Sequence, residues 1–392
     1  MRSATGEFTM TRWDHWVDRW LAWRDRLLAS RLFQRRAAAF ALTQPIARRH
    51  ARELFDLVAG FVYSQVLLAC VQLRLFELLA EGPQSLKQLA GRLALPVDAA
   101  RRLLDAAVAL RLVERRSQGR YGLGELGAPM VGNEPVAAMV RHHAALYADL
   151  ADPVALLRAS PTARQHCALA RYWAYDEANG VASDGASERV ASYSALMAAS
   201  QPLVADEILQ AYALRRHRCL LDVGGGDGRF IATAAQRAPT LRFMLFDLPA
   251  VAERAHARFA ADPLGSRVRV FGGSFLKDTL PLGADIVSLV RVVHDHDDAN
   301  AMTLLRAVHA ALPPGGTLLL AEPMADTPGA EPMGDAYFGF YLLAMGRGRP
   351  RSAEALTQML SAAGFEGVRP LRTRLPLQTQ LLVARRGGEN PV

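Results

Sequence analysis

The chain has 392 residues, 51% hydrophobic and 21% charged, a composition ordinary for a globular protein and a length that allows two domains. Its three cysteines, Cys70, Cys167 and Cys219, lack the spacing of a disulfide framework or a metal site and read as free thiols in a reducing cytoplasm. The net charge of +8 rests on arginine, since only Lys87 and Lys277 are lysines, and with the abundant alanine this points to a GC-rich genome more than to a function.

The first predicted element is a helix over Thr11–Leu27, TRWDHWVDRWLAWRDRL. At 100° per residue Trp13, Trp16, Trp20, Trp23 and Leu27 fall within an arc of roughly 80°. Arg12, Arg19 and Arg26 run beside that stripe, and residues 1–60 hold 11 arginines against 6 acidic residues. Such a segment faces anionic lipid or is a solvated helix face, and its tryptophan stripe alternatively packs on the partner subunit or its own core. No uninterrupted apolar stretch marks a secretory signal. Leu57–Val71, LVAGFVYSQVLLACV, is apolar over 15 residues, short of the ~20 of a membrane span, and reads as a buried core or dimer helix.

From Ser85 the sequence reads helix, turn, helix, hairpin. Leu86, Leu89, Ala90 and Leu93 form one apolar face, the turn falls at Leu95-Pro96, and Leu103, Leu104, Ala107 and Leu110 form the next face. Val113–Arg116 and Arg120–Leu123 are expected as strands around Gly119. This winged-helix pattern serves either as scaffold or, through Arg101 and Arg102, as a DNA reader. Residues 11–200 read as mostly helical, whereas 201–385 alternate short apolar runs with amphipathic segments, the βαβ pattern of a parallel sheet. The expected division is an N-terminal extension (1–53), a helical domain (54–200), a parallel α/β domain (201–386) and a tail (387–392).

In CLLDVGGGDGR an apolar strand, Leu220–Val223, runs into Gly224, Gly226 and Gly228, and a helix begins near Arg229. Glycines let the backbone approach a ligand, and the helix N-terminus favours electronegative groups. The dinucleotide fingerprint needs glycine at 229, where Arg229 stands, which argues against NAD. The next strand, Leu241–Phe246, ends in Asp247, 19 residues after Gly228, where a carboxylate can accept from ribose hydroxyls; capping of the helix that starts at Leu248-Pro249 is the other role open to it. A nucleoside without pyrophosphate, most naturally S-adenosylmethionine, fits this set, with Asp222 and Leu248 counted among its contacts. A third strand, Val268–Phe271, leads to Gly272-Gly273-Ser274-Phe275, where Phe275 is expected on the adenine ring and Ser274 near its amine.

Ala284–Val293 reads as a buried parallel strand ending in His294-Asp295-His296-Asp297-Asp298. Ligands sit at the carboxyl ends of such strands, so His294 is the candidate base for a hydroxyl proton. A metal site is not expected, because consecutive residues rarely converge on one ion. The strand Leu318–Ala321 ends in Glu322-Pro323, which places Glu322 to orient His294 by accepting its ring proton.

Together LLDVGGGDG, FDLPAV, GGSF, VRVVHDHDD, LPPGGTLLLAEP and LTQMLSAAGF closely resemble, from about residue 54 to 385, the S-adenosylmethionine-dependent O-methyltransferases of the acetylserotonin and caffeate type. The resemblance implies a winged-helix dimerisation domain, a Rossmann-like C-terminal domain, a homodimer and no metal. It matches His294 to the catalytic base, Asp295 to its acidic neighbour, Arg291 to a cofactor-side cation and Glu322 to the first of two flanking carboxylates. The second normally lies in a Gly-x-Glu-Arg-Thr-like segment; here Gly348-Arg349-Pro350-Arg351-Ser352 puts Pro350 in the glutamate's place. It also sets Tyr193, Met197, Phe338, Tyr341, Leu342 and Met345 along the acceptor site, an apolar set that suits a polyene.

More narrowly, WVDRWLAWRDRLLAS, LFDLVAGFVYSQVLLACV and FGFYLLAMGRGRPRS look like the carotenoid O-methyltransferases of purple bacteria, which methylate the tertiary 1-hydroxyl of acyclic carotenoids. Such a substrate resides in the bilayer, so Trp13, Trp16, Trp20 and Trp23 become candidates for peripheral contact between a cytoplasmic enzyme and the inner membrane. Aromatic polyketides or phenols are the alternative acceptors. A winged-helix DNA-binding regulator and a membrane-peripheral scaffold are more remote, because neither needs a base at a strand end; no nucleic-acid partner is expected.

Overall fold

The computed structural model describes residues 12–172, 201, 203–376 and 379–388. Its chain divides into two compact units, 1–131 and 132–392.

The first unit opens with helices α1 (Arg12–Ala29), α2 (Arg31–Ala39), α3 (Gln44–Gln72) and α4 (Leu75–Ala80). Helices α5 (Leu86–Arg92) and α6 (Val97–Ala109) follow, with β1 (Gln84–Ser85), β2 (Val113–Arg115) and β3 (Arg120–Leu123) in an antiparallel sheet of order β1-β3-β2. Ser85 and Gln88 form a reciprocal capping box at the start of α5. Leu89, Ala90 and Leu93 meet Leu104 and Ala107 in the core. The winged-helix layout therefore follows from capping and helical periodicity.

Helix α3 departs from the buried-core alternative of the expectation and leaves the dimer-helix alternative open. It runs 29 residues and is, by length and composition only, apolar enough to cross a membrane. Only Cys70 and Val71 are buried; Leu54, Leu57, Val58 and Phe61 are exposed, Leu57 at 82%. The four tryptophans of α1 are exposed too, so this unit's own core does not cover them.

The second unit is a seven-stranded sheet of order β6-β5-β4-β7-β8-β10-β9. Strands β4 (Cys219–Val223), β5 (Arg242–Asp247), β6 (Val268–Gly272), β7 (Ile286–Val290) and β8 (Thr317–Glu322) are parallel; β9 (Phe365–Leu371) and β10 (Gln380–Arg386) complete it antiparallel. Side chains alternate between faces with period two. Leu318 and Leu320 join Leu221, Val287, Leu304 and Leu360 on one side; Leu319 and Ala321 join Leu220, Phe230 and Ile286 on the other.

Around the sheet lie α7 (Glu134–Asp149), α8 (Arg229–Arg237), α9 (Pro249–Ala260), α10 (Asp298–Ala311), α11 (Phe338–Ala344) and α12 (Ala353–Ala362), with shorter helices between them. Residues 132–172 belong to this unit, whereas the sequence pattern carries the helical domain to residue 200. The physical reason is an apolar cluster in which Leu146, Leu156 and Leu169 pack on Tyr341, Leu342 and Met345. Strand β7 ends at Val290, short of the expected Val293, because Arg291 takes a left-handed φ of 57° and the chain turns. The ends of β4, β5, β7 and β8 thus share one edge, and neighbours of β4 on its two sides, β5 and β7, make the crevice where such sheets bind ligands.

Leu320 is fully buried in β8. Leu320→Ala is expected to lower unfolding free energy by about 2–5 kcal/mol in urea denaturation; a change within about 1 kcal/mol would contradict this packing.

Candidate active site

The glycine loop follows β4. Gly226 donates its N–H to Asp247 Oδ2 (2.7 Å) and Leu248 donates to Asp247 Oδ1 (2.7 Å), so Asp247 ties the end of β5 to the loop. It makes no side-chain cap on α9. Burial pushes its pKa up to about 6, while these two N–H groups oppose the shift. Gly228 starts α8 at a φ of +80°, and a Cβ there would sit 2.4 Å from the Phe259 ring, so glycine is required.

Asp222 lies beneath the loop, fully buried. Ser288 donates its hydroxyl to Oδ1 (2.6 Å), and Oδ2 has no hydrogen-bond partner. Burial raises its pKa to about 7. A Cβ on Gly225 would come within 2.7 Å of that oxygen. An unpartnered carboxylate oxygen, a second carboxylate at the next strand end and a backbone stripped of side chains suit a ligand that carries ribose hydroxyls and positive charge. Gly224, Gly226, Asp247, Leu248, Phe275 and Arg291 all line the cleft above. Ser274 does not line it; its backbone and side chain instead form the turn to Asp278.

His294 lies in a short turn just past β7, buried to 8% exposure. Glu322, at the end of β8, accepts N–H bonds from Val292 (3.1 Å) and Val293 (2.8 Å) at Oε1 and pairs through Oε2 with His294 Nδ1. Asp295 Oδ1 stands 3.1 Å from Nε2. Burial alone would lower the imidazole pKa, but the carboxylates of Asp295 and Glu322 outweigh it and raise it to about 10. Both ring nitrogens therefore face carboxylates although Pro350 supplies none; Asp295 occupies the second side.

The segment that carries Pro350 holds this turn by other means, unforeseen in the sequence. Arg349 donates its N–H to the His294 carbonyl (2.9 Å). The buried Arg351 donates from Nη1 to the Val293 carbonyl (2.9 Å), from Nη2 to the His296 carbonyl (2.7 Å) and from Nε to Asp298 Oδ1 (3.0 Å). Gly348 has a φ of +83°, and a Cβ there would overlap the His294 carbonyl oxygen. Arg351 is thus a positioning residue whose fork spans both ends of the turn.

Beyond His294 the cleft is walled by Met139, Tyr337, Phe338, Tyr341 and Met345. Phe338 lies 6.0 Å from the His294 ring, and Tyr337 stacks on Tyr341 at 5.7 Å. The tyrosine hydroxyls are held by His143 (2.9 Å) and His142 (3.0 Å) of α7. Burial lowers the pKa of both histidines, His142 to about 4, and pushes both phenol pKa values up. Leu342, expected in the cleft, is turned by the helix period into the apolar cluster with Leu146. Tyr193 and Met197 lie outside the described residues. Among the described residues no group of three or more His, Cys, Asp or Glu side chains could hold a metal ion.

Comparison with known proteins identifies the class. Residues 147–366 match the O-methyltransferase domain family and residues 55–133 the O-methyltransferase dimerisation domain. The chain belongs to the O-methyltransferase family. It is 43% identical to demethylspheroidene O-methyltransferase of Cereibacter sphaeroides over 364 residues, 92% of this chain and 94% of that one. It is 33% identical to acetylserotonin O-methyltransferase of Mus musculus, covering 87% and 90%. The crystal structure of human N-acetylserotonin methyltransferase in complex with SAM shares the fold, with a TM-score of 0.72, 24% identity and coverage of 86% and 98%.

Three outcomes follow from this geometry. Asp295→Asn removes one carboxylate from His294 and lowers its pKa, so the rise of kcat/KM with pH, which follows the neutral ring, is expected to move to lower pH; an unmoved profile would contradict the pairing. The same ion pairs stabilise the fold below the ordinary imidazole value near 6.5 and are lost as pH rises through about 10. Arg351→Leu is expected to cost about 10²-fold in kcat with little change in KM for the methyl donor, and Arg351→Lys should not restore it. Equal kcat in the leucine variant would show that the clamp is dispensable.

Proposed function

We propose that this chain transfers the methyl group of S-adenosylmethionine to the tertiary hydroxyl of an acyclic carotenoid, with His294 as the proton acceptor. The observation that carries the substrate is the 43% identity, over 92% of the chain, to demethylspheroidene O-methyltransferase. The aromatic and methionine wall beside His294 supports it, since such a wall suits a long conjugated chain. When bound, S-adenosylmethionine supplies an electrophilic methyl on a positively charged sulfur. Asp222 and Asp247 match its charge and ribose, and Phe275 its ring.

The acceptor hydroxyl takes the place of Asp295 at His294 Nε2, while Glu322 keeps Nδ1–H and fixes the ring. With the donor bound, the hydroxyl oxygen would bond to its methyl carbon while the carbon–sulfur electron pair left with sulfur. A tertiary alcohol is a weak acid, so its proton passes to Nε2 during or after transfer rather than before. The resulting imidazolium keeps Glu322 at Nδ1 and regains Asp295 at Nε2 as the ether leaves, so its charge is stabilised. The apolar wall keeps water out and holds the hydroxyl in line.

The dimerisation domain acts here between two copies of this chain, and the exposed side chains of α3 from Leu54 to Val62 are its natural contact. The substrate's solubility in the bilayer supports the reading of a cytoplasmic enzyme that works at the inner membrane. The wall also accommodates an aromatic ring, so phenols are the acceptors to set against the carotenoid.

Labelled methyl transfer to 1-hydroxy acyclic carotenoids in detergent, beside a panel of phenols, is expected to favour the carotenoid; turnover of phenols alone would overturn the substrate. His294→Gln is expected to retain donor binding and lose about 10²–10⁴-fold in kcat. A rate near that of the unaltered enzyme would remove His294 as base.

A further inference from the structure

Helix α1 turns its largest apolar groups to solvent. Trp13, Trp16, Trp20 and Trp23 are 70%, 61%, 48% and 56% exposed, whereas Val17 and Leu21, on the adjoining arc, are half-buried. The helix therefore packs through its aliphatic edge and leaves the indole stripe outward. Leu32, Phe40, Leu42 and Ile46, between α1 and the start of α3 in sequence, are exposed as well.

The charge around that surface is predominantly positive. Residues 12–52 hold ten arginines against three aspartates. Ion pairs among the described residues of this segment engage Arg24 with Asp25 and Arg49 with Glu53, both at the surface. The segment also lies outside the catalytic and dimerisation machinery. The two matched family domains begin at residue 55. The solved neighbours match along 98–100% of their own length while covering 86–88% of this chain, so their fold is complete without a segment of this size.

We infer that the tryptophan face of α1, with the arginines of α1 and α2 around it, seats the protein on a bilayer surface that carries anionic phospholipid. Indole is suited to the headgroup level, where its ring is buried and its N–H stays hydrated. Arginines beside it reach lipid phosphates, and each adds to attraction for an anionic leaflet. A second copy of this chain is a poorer occupant, because it would bring ten like charges against ten. The dimerisation domain already offers an aliphatic face on α3 for that contact. The purpose of such an anchor rests on the carotenoid reading, since it brings the cleft to a substrate dissolved in the bilayer; its test needs no carotenoid.

The full-length protein is mixed with vesicles of phosphatidylcholine, with and without phosphatidylglycerol, and binding is read by co-sedimentation and tryptophan emission. The expected result is binding to the phosphatidylglycerol vesicles, a blue-shifted emission and weakening with salt. Arg31→Gln and Arg35→Gln should each weaken binding about fivefold. The combined variant Trp13→Ser, Trp16→Ser, Trp20→Ser and Trp23→Ser, which keeps Trp173 as reporter, should stay in the supernatant while its calorimetric affinity for S-adenosylmethionine is unchanged. No binding by the unaltered protein would overturn the inference, as would equal binding by the fourfold variant. So would a fourfold variant that becomes monomeric while vesicle binding persists, because the stripe would then be a contact between copies. Carotenoid methylation in detergent alongside absent vesicle binding would sink the anchor and leave the enzymatic reading standing.

Discussion

Glu322 is a buried carboxylate at the end of β8, fixed by two backbone N–H groups from the neighbouring turn and paired with His294 through its second oxygen. An ionised carboxylate in that position is tolerable only because those donors and the imidazole satisfy it. In return it fixes three consecutive residues, Val292, Val293 and His294, in one geometry. Everything in the cleft depends on that geometry. The parallel register of β7 and β8 brings the two strand ends level, Arg351 holds the far side of the same turn, and the remaining ring nitrogen is left facing Asp295 and the cleft.

The arrangement has a consequence for how a weak acid such as an alcohol can be methylated. A histidine between two carboxylates favours the form that has gained a proton, and that is the form in which the proposed reaction ends. The protein has little to gain from drawing the proton off first. Its contribution lies in positioning, exclusion of water and a prepared place for the charge that appears. The tyrosines of the acceptor wall have their hydroxyls tied to histidines of α7, which keeps their polar ends occupied.

Much of the site was legible because its residues sit at fixed places in a chain-local pattern. A glycine loop after an apolar strand, an aspartate at the end of the next, and polar residues at two further strand ends are all readable once the sheet is taken as parallel. What escaped depends on contacts between distant segments. Arg351 meets Val293 and His296 across more than fifty residues, and nothing in its neighbours announces a buried guanidinium. His142 and His143 are 194 and more residues from the tyrosines they hold. Asp295 was visible as an acidic neighbour, but only the turn that follows Arg291 at positive φ shows that its oxygen reaches Nε2. Leu342 was misplaced for the converse reason: its neighbours on α11 face the cleft, and one step along a helix turns a side chain by 100°. On α1 the periodicity located the stripe, yet its exposure became visible only with the fold.

The central claim is that His294 stands between Glu322 and Asp295 as the acceptor of the substrate proton. The most direct measurement is a pH titration by nitrogen-15 NMR of protein labelled at histidine, with the His294 signal assigned by its loss in His294→Gln. The account predicts a free-enzyme titration above the ordinary histidine range, towards about 10, that falls back in Glu322→Gln and drops when the acceptor hydroxyl displaces Asp295 from Nε2, leaving the neutral ring that takes the proton. A titration that ignores Glu322, or a ring still protonated at Nε2 with donor and acceptor bound, would contradict it.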